Sequence, residues 1–323
     1  MNLLCNNNIM CTGIFAVTAD NKYVFGRTLE FGIPLKWKQF CSFTIKGTMG
    51  KFDGINEWFI TDGVNVNGFF VGTFYFPHYH FEYAKEKVEG KINLETGYVN
   101  SFLLKHCKSV DDVKKLAHKL NIIETVLNNT KFSFHWLLCD KTGKCAVMEI
   151  KNKEVQIYDN PYHVITNSPK FTEQITNVNK YKYLSRYNKP DSISQGSGAL
   201  GMPGDSTSLS RFVRAHFFRQ NMVIPKNDKT GIEAILRILH NFDIPLGSVE
   251  DKKTKELEVT EYTVSYCLNT MEVKYAPYGY IKKNNEWIQT DHPVELYHNN
   301  VISTAAACLI ILGCVMYKAN YNI

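Results

Sequence analysis

Short runs of apolar and aromatic residues predict that residues 11–75 form mainly β-strands, and polar turn signals such as ADNK and GVNVNG separate these runs. The predicted strands are CTGIFAVTA, YVFGRTLEF, FCSFTIKG, WFITDGV and GFFVGTFYF. The pattern then changes, and residues 95–126 are predicted to be helical, with Ser109 as the N-cap of SVDDVKKLAHKL and acidic residues in its first turn.

The second half of the chain repeats this order of strands and then helices. Residues 134–150 predict a hairpin that turns at DKTG, and EVQIYD and HVIT predict the strands that follow. The polar residues 172–200 are predicted to be mostly loop. Two helices, SLSRFVRAHFFRQ and GIEAILRILHNF, and the closing strands of VTEYTVSYCLNTMEVKYAPYGYIKK complete the pattern. This order indicates an α+β fold with sheets between helices rather than a regular βαβ alternation.

Composition and charge exclude several classes of function. The chain has 323 residues, 44% apolar and 21% charged, as in a soluble globular protein. The net charge is +6, and the Lys and Arg residues are interleaved with Asp and Glu without forming a basic tract. No nucleic-acid partner is therefore expected. None of the nine cysteines forms a CxxC pair, so neither a metal site nor a disulfide framework is predicted. GSGALG at 196–201 lacks the strand and helix of a nucleotide site, and no cofactor is expected.

The C-terminal end contains an uncharged, largely apolar run, VISTAAACLIILGCVMY, at residues 301–317. Its 17 residues reach the short end of the length that spans a bilayer. Two interpretations stay open. The run is either a transmembrane tail that anchors the protein to a membrane or a buried terminal helix, in which case the protein is cytoplasmic.

Cys11 follows Met10 directly and begins the first predicted strand. A cysteine at a free N-terminus carries its own base, because its α-amine has a pKa of about 8. The alternative is an ordinary buried cysteine. Activation of Cys11 requires a chain that begins at this residue: either residues 1–10 are cleaved off as a leader, or translation starts at Met10 and this methionine is then trimmed. We therefore expect three segments: 1–10, a domain over 11–296, and the tail at 301–317.

The chain resembles the choloylglycine hydrolase family of bile salt hydrolases and penicillin V acylases, which are N-terminal-nucleophile (Ntn) hydrolases. The resemblance runs over about residues 11–275 and rests on motifs in the family's order. These are MCTGIF with FGRTLEFG, DGVNVNGFF, FHWLLCDKTG, ITNSPKF, GALGMPGDSTSLSRFVRA and VTEYTVSY. It implies a four-layer αββα sandwich of two antiparallel sheets between helices.

The resemblance also implies the roles of individual residues. Cys11 would be the nucleophile, and Arg27 would lower the pKa of its thiol. Glu30 stands where the family has an Asp that holds the nucleophile's amine, and it is one methylene longer. Arg211 would stabilise the arrangement electrostatically.

An oxyanion hole would come from the side-chain amide of Asn167 and a backbone N–H near Tyr75. Tyr75 stands where bile salt hydrolases carry Asn and penicillin V acylases carry Tyr, which favours acylase-like use.

The predicted function is hydrolysis of a linear amide through an acyl-thioester on Cys11, with no cofactor or metal. The substrate would be a small acyl amide of the penicillin V, conjugated bile salt or fatty-acyl type. An apolar acyl group is expected from the aromatic run FFVGTFYFPHYHFEY, for which core packing is the alternative. The family resemblance adds a homo-oligomer as a candidate assembly. The alternative function is that of an inactive, membrane-tethered relative with a binding or structural role.

Overall fold

The computed structural model describes residues 10–31, 35–52, 57–76, 83–127, 130–189, 195–252, 255, 257–278, 280–283 and 286–289. Residues 1–9 of the expected leader and the apolar run at 301–317 lie outside these residues. Within the described ranges, no helix has the length and apolar character needed to cross a membrane.

The strands follow the predicted order closely in the first part of the chain. They are β1 Met10–Val17, β2 Tyr23–Phe31, β3 Leu35–Cys41, β4 Ile45–Phe52, β5 Phe59–Asn65, β6 Phe69–Tyr75, β7 Ile92–Glu95, β8 Leu120–Ile123, β9 Thr125–Leu127, β10 Thr130–Phe132, β11 Phe134–Asp140, β12 Cys145–Lys151, β13 Glu154–Asp159, β14 Val164–Ile165, β15 Val259–Cys267, β16 Val273–Pro277, β17 Tyr280–Lys283 and β18 Glu286–Gln289.

The predicted segments SLSRFVRAHFFRQ and GIEAILRILHNF each form a helix whose ends lie within three residues of the prediction, and the region predicted to be helical over 95–126 contains two short α-helices. The helices are α1 Val99–His106, α2 Val110–Leu116, α3 Phe171–Val178, α4 Ser208–Asn221 and α5 Asp228–Leu239. Ser109 caps α2 as predicted, since its side chain accepts a hydrogen bond from the Asp112 N–H at 3.2 Å.

Three predicted elements were wrong in detail. FCSFTIKG is not one strand, because the Ser42 hydroxyl bonds the Ile45 backbone and turns the chain between β3 and β4. The helical prediction for 95–126 fails after α2, where the β-branched residues of β8 and β9 are extended. The loop predicted over 172–200 contains most of α3, because Phe171, Gln174 and Val178 bury one face of a helix there.

Two antiparallel sheets form the centre of the molecule. One has the order β14-β1-β2-β15-β16, and the other has the order β13-β12-β11-β6-β5-β4-β3. Helices α4 and α5 pack on the first sheet, and α1 and α2 pack on the second. The predicted αββα sandwich is therefore confirmed.

Two apolar clusters hold these layers together. One fills the space between the sheets and beneath α4 and α5, and the other lies between the second sheet and α1 and α2. The aromatic residues of the FFVGTFYF segment belong to these clusters, because Phe69, Phe70, Phe74 and Phe76 are fully buried. Core packing explains this part of the aromatic run, and residues 77–82 lie outside the described ranges.

Candidate active site

Cys11 lies on β1, between β14 on one side and β2 on the other. It is paired with Leu29, and Gly13 is paired with Arg27, so Cys11 and Arg27 share one face of the sheet. That face points toward the second sheet, and only 1% of Cys11 is exposed. The β-pairing of the first two strands therefore places a thiol beside a guanidinium in the molecular interior.

Arg27 contacts the Cys11 thiol directly. Its Nη2 lies 2.9 Å from Cys11 Sγ, and its Nη1 donates to the Thr73 carbonyl of the second sheet at 2.7 Å. The guanidinium also lies 4.5 Å from the centre of the Phe74 ring. Gly13 opposite Arg27 is required here, because a Cβ atom would stand 2.7 Å from Phe74.

Asn167 follows β14 and reaches Cys11 because β14 pairs with β1. Its Oδ1 accepts the backbone N–H of Cys11 at 2.7 Å, and its Nδ2 donates to the Tyr75 carbonyl at 2.8 Å. The Asn167 backbone is itself anchored, since its N–H donates to the Ser208 hydroxyl and its carbonyl accepts Gln174 Nε2. The side chain thus connects β1 to the end of β6.

Arg211 lies in the first turn of α4 and approaches Cys11 from the outer face of the sheet. Its Nη1 donates to the Cys11 carbonyl at 2.6 Å and to the Thr12 hydroxyl at 2.9 Å. Its Nη2 donates to Asn167 Oδ1 at 2.8 Å. One guanidinium therefore bonds both the backbone of Cys11 and the side chain that holds the Cys11 N–H.

Glu30 lies on the opposite face of β2 from Arg27 and is 1% exposed. Its Oε1 accepts from the Thr260 hydroxyl at 3.4 Å, and no partner for Oε2 is present in the part of the chain that the structure describes. Burial raises the pKa of this carboxyl to about 8, against the opposing charges of Arg211 and Arg27. Met10 is paired with Glu30 across the ladder.

The thiol of Cys11 is subject to opposing influences. Burial raises its pKa above the ordinary value, and the charge of Arg27 opposes this most strongly. Glu30 adds to the rise, while Arg211 and a backbone hydrogen bond from Tyr75 lower the pKa. Loss of any one of these groups should therefore change the fraction of thiolate.

The five other predicted site residues thus lie around Cys11, with Glu30 on the opposite face of β2 from Arg27. Asp62 was not predicted as a site residue, although it opens the motif DGVNVNGFF. Asp62 on β5 is fully buried, and its Oδ2 lies 3.5 Å from Arg27 Nη1. It also accepts a hydrogen bond from the Tyr262 hydroxyl at 3.0 Å. The available signal was an acidic residue inside the otherwise uncharged strand segment FITDGVN.

A known protein family matches the chain over most of its length. The model of the linear amide C–N hydrolases of the choloylglycine hydrolase type matches residues 11–301. The chain belongs to the choloylglycine hydrolase family. Among the described residues, no group of three or more His, Cys, Asp or Glu side chains could hold a metal ion.

Relatives of the chain include both viral and bacterial members. It is 38% identical to an uncharacterized protein of Paramecium bursaria Chlorella virus 1, over 84% of this chain and 98% of that protein. It is 32% identical to the bile salt hydrolase/transferase of Clostridium perfringens, over 91% of this chain and 96% of the relative. A crystal structure of a mutant conjugated bile acid hydrolase from Clostridium perfringens superposes with a TM-score of 0.70 at 30% identity, covering 86% of this chain and 92% of that one.

Proposed function

We propose that this member of the choloylglycine hydrolase family is an amidase with Cys11 as its nucleophile. The observation that supports this most directly is the 2.9 Å contact between Arg27 Nη2 and Cys11 Sγ. A guanidinium at this distance favours the thiolate, which is the reactive form of cysteine. The reaction is hydrolysis of a linear acyl amide to a carboxylic acid and an amine.

Activation requires a free amine on Cys11. With Met10 attached, the Cys11 nitrogen is an amide that donates its hydrogen to Asn167 Oδ1 at 2.7 Å. An amide nitrogen accepts no proton near neutral pH, whereas an α-amine with a pKa of about 8 can act as the base. We therefore propose that the active chain begins at Cys11, after the Met10–Cys11 bond is cut.

The chemical step then uses the groups around the thiol. The Cys11 sulfur attacks the amide carbon, and the carbonyl oxygen takes up negative charge. We propose that Asn167 Nδ2 and the backbone N–H of Tyr75 donate to this oxygen. Their closeness is supported by the hydrogen bond between Asn167 Nδ2 and the Tyr75 carbonyl.

Collapse of this intermediate breaks the C–N bond. The proton that the α-amine took from the thiol passes to the leaving nitrogen, and an acyl-thioester on Cys11 remains. Water, deprotonated by the same amine, then attacks the thioester and releases the acid and the free thiol. Arg211 holds Cys11 through its carbonyl during both steps.

The proposed substrate class is a small linear acyl amide, in keeping with the family of linear amide C–N hydrolases. The names of two relatives point to conjugated bile acids as first candidates. A suitable panel contains glycine- and taurine-conjugated bile salts, penicillin V and fatty-acyl amides.

The test begins with intact mass and N-terminal sequencing of the purified protein, followed by this panel. A chain that begins at Cys11 is expected to release amine, and Cys11→Ala should abolish the release. Cys41→Ala is the matched control, because Cys41 is an exposed thiol at the end of β3. Equal turnover by wild type and Cys11→Ala would overturn the proposal, as would a fully active chain that keeps Met10.

A further inference from the structure

Asp62 forms a buried polar cluster between the two sheets. Both of its oxygens accept tyrosine hydroxyls from β15 of the opposite sheet: Tyr262 bonds Oδ2 at 3.0 Å, and Tyr266 bonds Oδ1. The side chains of Asp62 and Arg27 are both fully buried, and Arg27 Nη1 lies 3.5 Å from Asp62 Oδ2. Buried charges interact strongly because little water screens them.

Arg27 therefore faces two groups that can carry negative charge. Its Nη2 is directed to Cys11 Sγ at 2.9 Å, and its Nη1 is shared between Thr73 O and the Asp62 carboxylate. A guanidinium that is drawn toward one of these acceptors interacts less strongly with the other. A stronger negative charge on Asp62 should therefore weaken the stabilisation of a Cys11 thiolate.

The two tyrosines control how much of that negative charge faces Arg27. Burial raises the pKa of Tyr262 and of Tyr266 well above the ordinary value, so both hydroxyls remain protonated and donate. Hydrogen bonds to an ionised carboxylate draw its charge toward the donors. Removing a hydroxyl leaves more of the Asp62 charge to pair with Arg27.

We propose that Asp62, held by Tyr262 and Tyr266, is a positioning residue that competes with Cys11 for the Arg27 guanidinium and so sets the ionisation of the thiol. This inference deepens the proposed function, because it rests on Cys11 as the nucleophile.

Other charged and polar groups face Cys11 and Asp62, the two groups that Arg27 contacts. Glu30 and Arg211 act on Cys11 from β2 and α4, together with the Tyr75 N–H. Thr61 donates to Asp62 Oδ2 at 3.3 Å, and Tyr275 on β16 lies near enough for the Asp62 charge to raise its pKa further. Apart from Tyr275, which is substituted only in the control, these groups stay unchanged in the variants below.

The experiment is a pH titration of the Cys11 thiolate in the full chain by its ultraviolet absorbance. The titration of the corresponding Cys11→Ser protein is subtracted for each variant, which removes the absorbance changes of the other cysteines and of the tyrosines. In Asp62→Asn the competing charge is gone, and the thiolate-to-thiol ratio at a fixed pH should rise about tenfold. In Tyr262→Phe and in Tyr266→Phe the ratio should fall about three- to tenfold, the effect of one hydrogen bond.

Tyr275→Phe is the matched control for the tyrosine variants. Its hydroxyl donates to the Gly47 carbonyl at 3.0 Å, so this variant removes the same atom from the cluster without removing a donor to Asp62. Its titration should match that of the wild type. General loosening of the core would move all variants in one direction, whereas competition predicts shifts of opposite sign.

Unchanged or raised thiolate ratios in the two donor variants overturn the proposal, as does a lowered ratio in Asp62→Asn. If Asp62→Asn does not fold, Tyr262→Phe and Tyr266→Phe decide the question alone. The titration requires no turnover. An active enzyme without these shifts therefore refutes the competition, and opposite shifts in a chain that hydrolyses no substrate refute only the proposed function.

Discussion

Asn167 Oδ1 accepts the backbone N–H of Cys11 at 2.7 Å, although 156 residues separate the two in the chain. The same oxygen accepts Arg211 Nη2 at 2.8 Å, and Arg211 Nη1 donates to the Cys11 carbonyl. Both backbone polar groups of Cys11 are thus bonded within one network. The position of the thiol depends on a residue of α4 that never touches the sulfur itself.

Arg211→Lys should therefore lower activity with little change in the charge of the site. A single lysine nitrogen cannot reach the Cys11 carbonyl and Asn167 Oδ1 in the geometry of a guanidinium. Misplacement of a reacting group by about 1 Å costs about 100-fold in rate. We expect kcat/KM for the best amide substrate to fall by about that factor.

Arg214→Lys is the control for this substitution, since Arg214 lies on the same helix and donates to the carbonyls of Pro203 and Asp205. It should retain nearly full kcat/KM. If both variants lose activity equally, the effect comes from the packing of α4 and not from the position of Cys11.

Arg27→Gln should shift the pH dependence of the reaction. Arg27 is the group that most strongly lowers the pKa of the Cys11 thiol against burial, and glutamine has no charge. An opposite charge at this distance shifts a pKa by about 1 to 3 units. The thiol pKa should therefore rise, and the rate should fall about 10- to 1,000-fold at neutral pH.

The measurement for this variant is the pH profile of kcat/KM, whose rising limb should move to higher pH. Arg219→Gln is the control, because Arg219 bonds the Phe15 carbonyl on the same strand as Cys11 and also contacts His163. A profile that keeps its midpoint and loses only amplitude would contradict a role of Arg27 in ionisation.

The sequence predicted the parts of the site that depend on local pattern and on family motifs. The segments of β1 and β2 were predicted as strands, although both strands are buried on both faces, and their pairing places Arg27 next to Cys11 as expected. The turn between β3 and β4 was missed because Phe43, an exposed apolar residue, sits in it and continues the apolar pattern. Hydrophobic periodicity predicts which residues are buried, and Phe43 is an apolar turn residue that is exposed instead.

Long-range polar contacts could not be predicted in the same way. Asp62 and Tyr262 are 200 residues apart and meet only because the two sheets face each other. Nothing in either strand specifies which residue of the other sheet lies opposite. The pKa of Glu30 is similarly a result of burial by several elements, which the strand pattern of β2 alone does not contain.

Gly26→Ala should destabilise the fold next to Arg27. A Cβ atom on Gly26 would lie 2.4 Å from Ile235 and 2.9 Å from the Val264 carbonyl, because α5 packs closely on β2. Overpacking of this kind costs about 1 to 3 kcal/mol. Urea unfolding should show a lower midpoint with an unchanged slope.

Gly204→Ala is the matched control, since a Cβ there would have no neighbour within 4 Å. Its unfolding midpoint should stay close to that of the wild type. Equal loss in both variants would indicate that the close approach of α5 to β2 is not what requires Gly26.

Glu30→Gln should change how stability depends on pH. Burial raises the pKa of Glu30 from 4.5 to about 8, so between these values the folded state holds a proton that the unfolded chain has lost. The stability from this protonated carboxyl is complete below about 4.5 and is lost as the pH rises through about 8. Glutamine is neutral at every pH, so the Glu30→Gln variant does not lose stability in this way as the pH rises.

Urea unfolding of wild type and Glu30→Gln across this pH range checks the prediction. The unfolding free energy of the wild type should fall relative to that of the variant as the pH rises, and Glu154→Gln, an exposed glutamate on β13, should follow the wild type. Parallel curves for wild type and Glu30→Gln would contradict it. A chain cut before Cys11 has an α-ammonium group opposite β2, and this positive charge favours the ionised form of Glu30. In that shorter chain, the curves of unfolding free energy against pH for Glu30 and for Glu30→Gln should therefore differ less.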